Sequence, residues 1–390
     1  MSSIKQIITD LSRGTTEIIN TELLEAKLRR SQETGKPLHI KAGFDPTAPD
    51  IHLGHSVLLR KMRQFQELGH KVFFLIGDFT ALIGDPTGKN QLRPRLEPAF
   101  IEENAKTYAK QVFKILDPKK TEVVFNSHWL GKMTPQDLVA LTAQSTVAQM
   151  LVRSDFKKRF DAGREISVLE FIYPLLQGYD SVAMKADVEL GGSDQKFNLL
   201  MGRQIQQAYG QEPQVVMMTP LLEGLDGENK MSKSLNNYVG INEQPSEIFG
   251  KIMSISDELM FKYAECLTSL NLDELHQMHP KEAKMKLAET IVVQYYDAHA
   301  GQAAREAFER VFAKGENPED MTEFSLAQAK TGLSLAELLV DLKLVGSRNE
   351  VRRLMQQGGI SVNNEKITDE KWPLRPGIIK VGKRRFLKIS

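Results

Sequence analysis

The sequence predicts an α/β chain in three parts: a Rossmann-like parallel sheet, an all-helical region and a small α+β module. Three observations predict this. Residues 37–44 (PLHIKAGF) alternate as a strand does. A DPTAPD loop follows, residues 55–68 place Val57, Leu58, Met62, Phe65 and Leu68 at helical spacing, and residues 71–76 (KVFFLI) form a short apolar run. Strand, loop, helix and strand in that order make half of a nucleotide-binding unit. Past Lys233 the texture changes, and residues 245–267 and 281–312 carry helical patterns. Finally, residues 334–390 hold 12 Lys and Arg against 6 Asp and Glu, a net +6 in a chain of net +1, so the rest carries −5. A basic tail on a slightly acidic body fits a polyanion-binding module as well as it fits a merely soluble surface.

Each element follows from its own residues. Residues 1–34 read as helix. Gly69 falls where a helix C-cap glycine belongs. Residues 100–185 read as mostly helical. Residues 187–190 form a short strand ended by Gly191-Gly192. A helix over 194–207 and a strand over 213–218 complete the sheet region. In the helical region Leu287, Ile291, Tyr295 and Ala298 share one face. Residues 314–320 (KGENPED) have linker character, and strands are expected at 359–362, 378–381 and 385–389. The resulting domains are 1–235, 236–325 and 334–390, with 326–333 as the connection.

Composition narrows the chemistry. Cys266 is the only cysteine, which rules out an intrachain disulfide and a cysteine-based metal site. The N-terminal stretch interleaves Lys5, Asp10 and Arg13 with apolar residues, unlike a signal peptide. No apolar run reaches the ~20 residues of a membrane span. A cytoplasmic protein with no membrane partner is expected.

Five motifs are candidates for chemistry. His52-Leu53-Gly54-His55 sits at a strand-to-helix junction, where unpaired amides favour phosphate. Two imidazoles there can donate to a nucleotide's phosphates, although from the residues alone a helix-capping pair, or less readily a metal pair, stays open and the phosphate reading is not the favoured one. Lys230-Met231-Ser232-Lys233-Ser234 has loop-forming flanks, and two lysines three apart suit a departing pyrophosphate. Gly84-Asp85-Pro86-Thr87-Gly88-Lys89 is no P-loop, because Asn90 stands where magnesium needs Ser or Thr. Tyr173, Gln177 and Asp180 share a helical face and can line a polar pocket, or simply form the wet side of an amphipathic helix. Gly191-Gly192-Ser193-Asp194-Gln195 follows a strand, where a carboxylate suits a ribose hydroxyl or caps a helix.

The pairing of HLGH with KMSKS about 175 residues later resembles the two signatures of class I aminoacyl-tRNA synthetases. Together with GFDPTAPDIHLGH (43–55), GDPTGK (84–89), YPLLQGYD (173–180), GGSDQ (191–195) and LDGENKMSKS (225–234), the chain is similar to the bacterial tyrosyl-tRNA synthetase family over nearly its whole length. Residues 334–390 resemble an RNA-binding fold shared with a small-subunit ribosomal protein.

The resemblance implies a tyrosine–tRNA ligase that makes tyrosyl-adenylate from tyrosine and ATP, then charges tRNA. It implies His52, His55, Lys230 and Lys233 as the catalytic set. Asp45, Gly54, Gly192 and Asp194 would lie at the ATP site, with Lys89 and Arg93 on a phosphate-facing segment. Asp85, Tyr173 and Gln177 would hold the substrate ammonium, Asp180 the phenol, and Gln195 would sit near the reacting carboxylate. Lys41 stands where many relatives carry a tyrosine that touches the phenol, so it is a candidate tyrosine contact. Ala42 and Lys196-Phe197 are further departures from the commoner pattern. Magnesium is expected to arrive with ATP, with no protein-bound metal. Arg348, Arg352, Arg353, Lys383, Arg384 and Arg385 are expected to meet RNA phosphates, the helical region to meet the anticodon end of tRNA, and the enzyme to be a homodimer. The alternatives are a tryptophan enzyme of the same fold, a non-catalytic RNA-binding relative, and an enzyme that loads tyrosine onto another acceptor.

Overall fold

A computed structural model describes residues 3–45, 51–84, 98–313, 321–328, 333–363, 365–369, 372–382 and 385–390. The chain divides into two compact units, Met1–Gly301 and Gln302–Ser390.

The first unit is built on a six-stranded sheet: β1 (Glu17–Ile19), β2 (His39–Phe44), β3 (Lys71–Ile76), β4 (Thr121–Phe125), β5 (Val188–Gly192) and β6 (Val215–Thr219), in spatial order β1-β6-β5-β2-β3-β4. All pairs are parallel except β1 with β6. The strands are added outward from β2 on one side as β3 and β4 and on the other as β5 and β6, so the winding order, not the strand direction, reverses between β2 and β5. The crevice beyond the carboxyl ends of these strands is the topological switch point, where α/β sheets bind ligands.

Helix α1 (Leu53–Glu67) returns the chain from β2 to β3. It buries Leu53, Val57, Met62 and Phe65 against the sheet, and Gly69, at φ 88°, turns the chain into β3. Helix α2 (Val168–Met184) begins with a Ser167–Glu170 capping box. It packs on α3 (Lys196–Ala208), where a Cβ on Gly178 would lie 3.0 Å from Ile205 Cγ1.

Several expectations are corrected. Residues 1–34 are two helices, Ile4–Ser12 and Thr21–Thr34, separated by strand β1. The 100–185 region contains strand β4 as well as helices. A 3-10 turn, Ser193–Gln195, precedes α3, so the 194–207 helix starts at Lys196. Past β6 come helices α4 (Pro245–Met253), α5 (Asp257–Leu267) and α6 (Pro280–Tyr295). Leu287, Ile291 and Tyr295 are buried as expected, but the helix ends there, and Ala298 is exposed at the start of Ala298–Ala313.

The second unit carries a five-stranded sheet: β7 (Thr322–Phe324), β8 (Ile360–Val362), β9 (Glu365–Lys366), β10 (Gly377–Val381) and β11 (Arg385–Ile389), ordered β7-β11-β10-β8-β9. Helices α7 (Leu335–Asp341) and α8 (Arg348–Gln356) bury Leu335, Leu339, Val351 and Met355 against Ile360, Ile379, Leu387 and Ile389. β7 pairs parallel with β11, so residues expected to belong to the helical region join this sheet. The linker-like residues 314–320 lie outside the described residues.

Candidate active site

An open cleft of about 590 Å³ lies at the switch point. His52 caps α1, and its Nδ1 accepts from the Gly54 amide at 3.2 Å, while His55 Nδ1 accepts from the His52 amide at 3.3 Å. With both Nδ1 atoms accepting, the ring proton of each neutral imidazole resides on Nε2, a donor. Burial pushes the His52 ring down to about 2, helped by His55 and Lys233. Burial and then Lys233 push His55 down to about 4. Both are neutral donors near neutral pH. The capping and phosphate-binding readings of this motif are thus compatible: the same contacts that cap α1 orient its histidines.

The lysine motif is brought to the histidines by backbone bonds. The Leu53 amide donates to Val239 O at 2.9 Å, and the Ile241 amide to Ile51 O at 3.2 Å. Inside the loop, Asn237 acts as a bracket. Its Oδ1 accepts from the Ser232 amide at 2.8 Å, and its Nδ2 donates to Asp226 Oδ2 at 3.0 Å and to the Lys230 carbonyl at 3.3 Å. Lys230 Nζ lies 3.7 Å from Asp194 Oδ2 across the cleft.

The deep end of the cleft is acidic. Asp180, on α2, is 2% exposed and accepts from Trp129 Nε1 at 2.8 Å and Asn126 Nδ2 at 3.3 Å. Burial pushes its carboxyl up to about 7, opposed by the Lys41 ammonium and by those two donors. Asn126 Nδ2 also donates to Thr80 Oγ1, Thr80 donates to Asp45 Oδ1 at 3.0 Å, and the Tyr173 hydroxyl donates to Asp45 Oδ2 at 2.8 Å. A polar chain therefore runs from Asp180 to Tyr173. Gly77 makes room for it, since a Cβ there would overlap Asp45 Oδ1 and Thr80 Oγ1. On the facing wall Asn198 uses its amide group twice, donating to Gln177 Oε1 and Gln195 Oε1, each at 3.0 Å.

The cleft thus gathers Asp45, His52, Gly54, His55, Tyr173, Gln177, Asp180, Gly192, Asp194, Gln195, Lys230 and Lys233. Lys41 is not on its lining: it is fully buried, with Nζ 3.1 Å from Glu189 Oε1. Asp85, Lys89 and Arg93 lie outside the described residues. Sequence reasoning missed Asn126, Trp129, Asn198 and Asn237. The β-branched run TEVVF before Asn126 is the signal that could have found the strand that delivers it. Among the described residues no group of three or more His, Cys, Asp or Glu is placed to hold a metal.

In the second unit Arg348, Arg352 and Arg353 are exposed on α8. Arg385 on β11 reaches the same helix through Glu350 at 3.0 Å, and Arg348 pairs with Glu337 at 2.7 Å. Arginines of helix and strand are thereby brought near one another. Lys383 and Arg384 lie outside the described residues.

The sheet order and the two motifs meeting in one cleft define a class I aminoacyl-tRNA synthetase. Residues 32–313 match the family described as tRNA synthetases class I (W and Y), and residues 334–377 match the S4 domain. A tyrosine–tRNA ligase of Geobacter metallireducens is 56% identical, covering 99% of each chain, and one of Desulfotalea psychrophila is 52% identical over 100% of this chain and 99% of that one. The chain belongs to the tyrosine–tRNA ligase family. Its fold is also that of the tyrosyl-tRNA synthetase of Archaeoglobus fulgidus, solved with L-tyrosine, at TM-score 0.62 and 23% identity over 78% of this chain and 100% of that one. A truncated mitochondrial enzyme of Aspergillus nidulans matches at TM-score 0.66 and 21% identity, over 80% of this chain and 95% of that one.

Proposed function

We propose that this chain is a tyrosine–tRNA ligase, activating L-tyrosine with ATP and then charging tRNA. One observation carries the reading: a buried carboxylate at the deep end of the same cleft whose mouth holds two imidazole donors and two lysines. A phenol seated on Asp180 would point the amino-acid head toward Tyr173, Gln177 and Gln195. The tyrosine carboxylate attacks the α-phosphorus, the carboxylate O–P bond forms, and the bond to the pyrophosphate bridging oxygen breaks. Charge grows on the departing pyrophosphate. Neutral Nε2 donors of His52 and His55 and the Lys230 and Lys233 ammoniums meet that charge, which is transition-state stabilisation without a covalent intermediate. Gly54 and Gly192 leave room for the nucleotide, Asp45 lies at the same site, and Asp194 suits the ribose. Asp85, Lys89 and Arg93 are assigned by resemblance to the ammonium and phosphate contacts. Magnesium comes with ATP.

The transfer step needs tRNA, and the basic surface of Arg348, Arg352, Arg353, Lys383, Arg384 and Arg385 suits its phosphates. The catalytic domain 1–235 and the RNA-binding domain 334–390 belong to the same reading; the helical region, expected over 236–325, gives up Thr322–Phe324 to the second sheet and would meet the anticodon end. A homodimer is supported by apolar side chains left exposed along 139–168: Val139 at 68%, Val152 at 77%, Phe160 at 62% and Val168 at 73%. No helix among the described residues is long and apolar enough to cross a membrane, and a cytoplasmic location fits the activity.

Amino-acid-dependent ATP–pyrophosphate exchange tests the reading, with tyrosine, tryptophan and phenylalanine assayed separately. Exchange with tyrosine only is expected. Exchange with tryptophan would overturn the substrate, and exchange with none would favour a non-catalytic RNA-binding protein.

A further inference from the structure

At the acidic end of the cleft, where Glu189 reaches the lining, a charged network runs inward for which the chemistry above has no use. Lys41 on β2 and Glu189 on β5 are register partners on adjacent parallel strands. Both side chains are buried, at 1% and 2% exposure. Removing two charges from water is costly, and such a pair persists only where its remaining donors and acceptors are satisfied. Here they are. The three protons of the Lys41 ammonium have three acceptors: Glu189 Oε1 at 3.1 Å, Ser181 Oγ at 2.7 Å and the Gln177 carbonyl at 3.4 Å. Glu189 Oε2 accepts from Ser181 Oγ at 3.2 Å and from Gln214 Nε2. Helix α3 gives up a side chain to admit the network: a Cβ on Gly202 would lie 3.0 Å from Ser181 Oγ and 3.1 Å from Glu189 Oε2.

We propose that Lys41 is a positioning and specificity-determining residue that does not touch the substrate. Locked to Glu189, Ser181 and the Gln177 backbone below the cleft, it governs the phenol end of the amino acid through Asp180. The proposal rests on the tyrosine reading above and deepens it. Three facts join the network to Asp180. Ser181, which bridges the pair, is its neighbour on α2. Gln177, whose carbonyl holds Lys41, is on the preceding turn of that helix. The Lys41 charge favours the ionised Asp180 carboxyl, while Glu189 opposes it. The other groups on Asp180 are the neutral donors Trp129 and Asn126. His39, on the same face of β2 as Lys41, is engaged with the Met184 carbonyl at 3.1 Å. The tyrosine phenol needs an acceptor, and only the ionised carboxylate is purely that. A fully committed ammonium next to a paired carboxylate thus acts as a fixed charge source rather than a ligand.

The test is the pH dependence of kcat/KM for tyrosine in pyrophosphate exchange, in wild type, Lys41→Met and Glu189→Gln. Removing the ammonium should move the acid limb to higher pH. Removing only the carboxylate charge leaves the ammonium uncompensated and should move the limb to lower pH. Opposite shifts are the expected result. A pH-independent loss in Lys41→Met would mean direct contact and overturn the proposal, as would losses in both variants without a shift, which a purely structural role gives. Should Lys41→Met not fold, Glu189→Gln still decides, because only the charge role moves its limb downward. Absence of tyrosine exchange in wild type would sink the functional reading instead, so the two failures are distinguishable.

Discussion

The titrating residues of the site make the same demand on pH, for activity and for stability alike. In the proposed reading Asp180 is purely an acceptor for the phenol O–H only when ionised, and its carboxyl is pushed up to about 7. We therefore expect kcat/KM for tyrosine to fall roughly tenfold per pH unit on the acid side of that value. Asp180→Asn should abolish the limb and cost about 10–100-fold in kcat/KM, the worth of one hydrogen bond to a charged group. A limb that survives the substitution would assign the titration to another group. The imidazoles enter through stability. Their folded values, about 2 and about 4, lie below the ordinary 6.5. Their contribution is complete above 6.5 and is lost as pH falls from there toward 4. A His52→Gln/His55→Gln double variant should show a smaller drop in Tm over that interval, measured by thermal unfolding. Most motif residues were legible in the sequence because each sits in a short run with its neighbours. Asn126 and Trp129 were not, because each acts on Asp180 by a side-chain bond from a distant segment, which no local pattern marks; Asn198 lies one helical turn past Gln195, but its bond to Gln177 crosses between helices.

Elements with a strong period were read closely, and those without one were not. β3 spans Lys71–Ile76 as expected, because a continuous apolar run between a glycine turn and Gly77 leaves little choice. β1 is three residues at the sheet edge, with no buried side chain, so it shows no hydrophobic pattern, and β4 is only half-buried, leaving the short TEVVF run as its one signal. The lysine loop is the element on which the chemistry depends most. Its form comes from one amide side chain, Asn237, that bonds to three parts of it. Asn237→Ala should leave these backbone groups to water and let Lys230 and Lys233 wander. We expect kcat for exchange to fall by about tenfold or more, while the equilibrium Kd for tyrosine, followed by fluorescence, stays within about twofold. A loss seen in Kd and not in kcat would contradict the bracket.

At the scale of the whole molecule, the basic tail was legible as charge, but its surface was not. Helix α8 and strand β11 contribute arginines some 30 residues apart in sequence, joined through Glu350. Neutralising Arg348, Arg352, Arg353 and Arg385 to Gln should weaken tRNA binding and lower its salt slope by about one for each phosphate that no longer meets a cation, with pyrophosphate exchange intact. Equal loss of exchange would show that the surface serves something other than tRNA. The exposed apolar strip over 139–168 predicts that Val152→Asp with Phe160→Asp gives monomers in sedimentation velocity; an unchanged sedimentation coefficient would move the proposed interface elsewhere. In the proposed function two motifs about 175 residues apart act on one transition state, while Asp180 binds the substrate. Single-turnover formation of tyrosyl-adenylate tests it most directly, with Kd for tyrosine measured alongside, in His55→Ala and Lys233→Ala. A rate loss of about 100-fold or more is expected in each, with Kd nearly unchanged. A weakened Kd at an unaltered rate would place these residues in ground-state binding and contradict it.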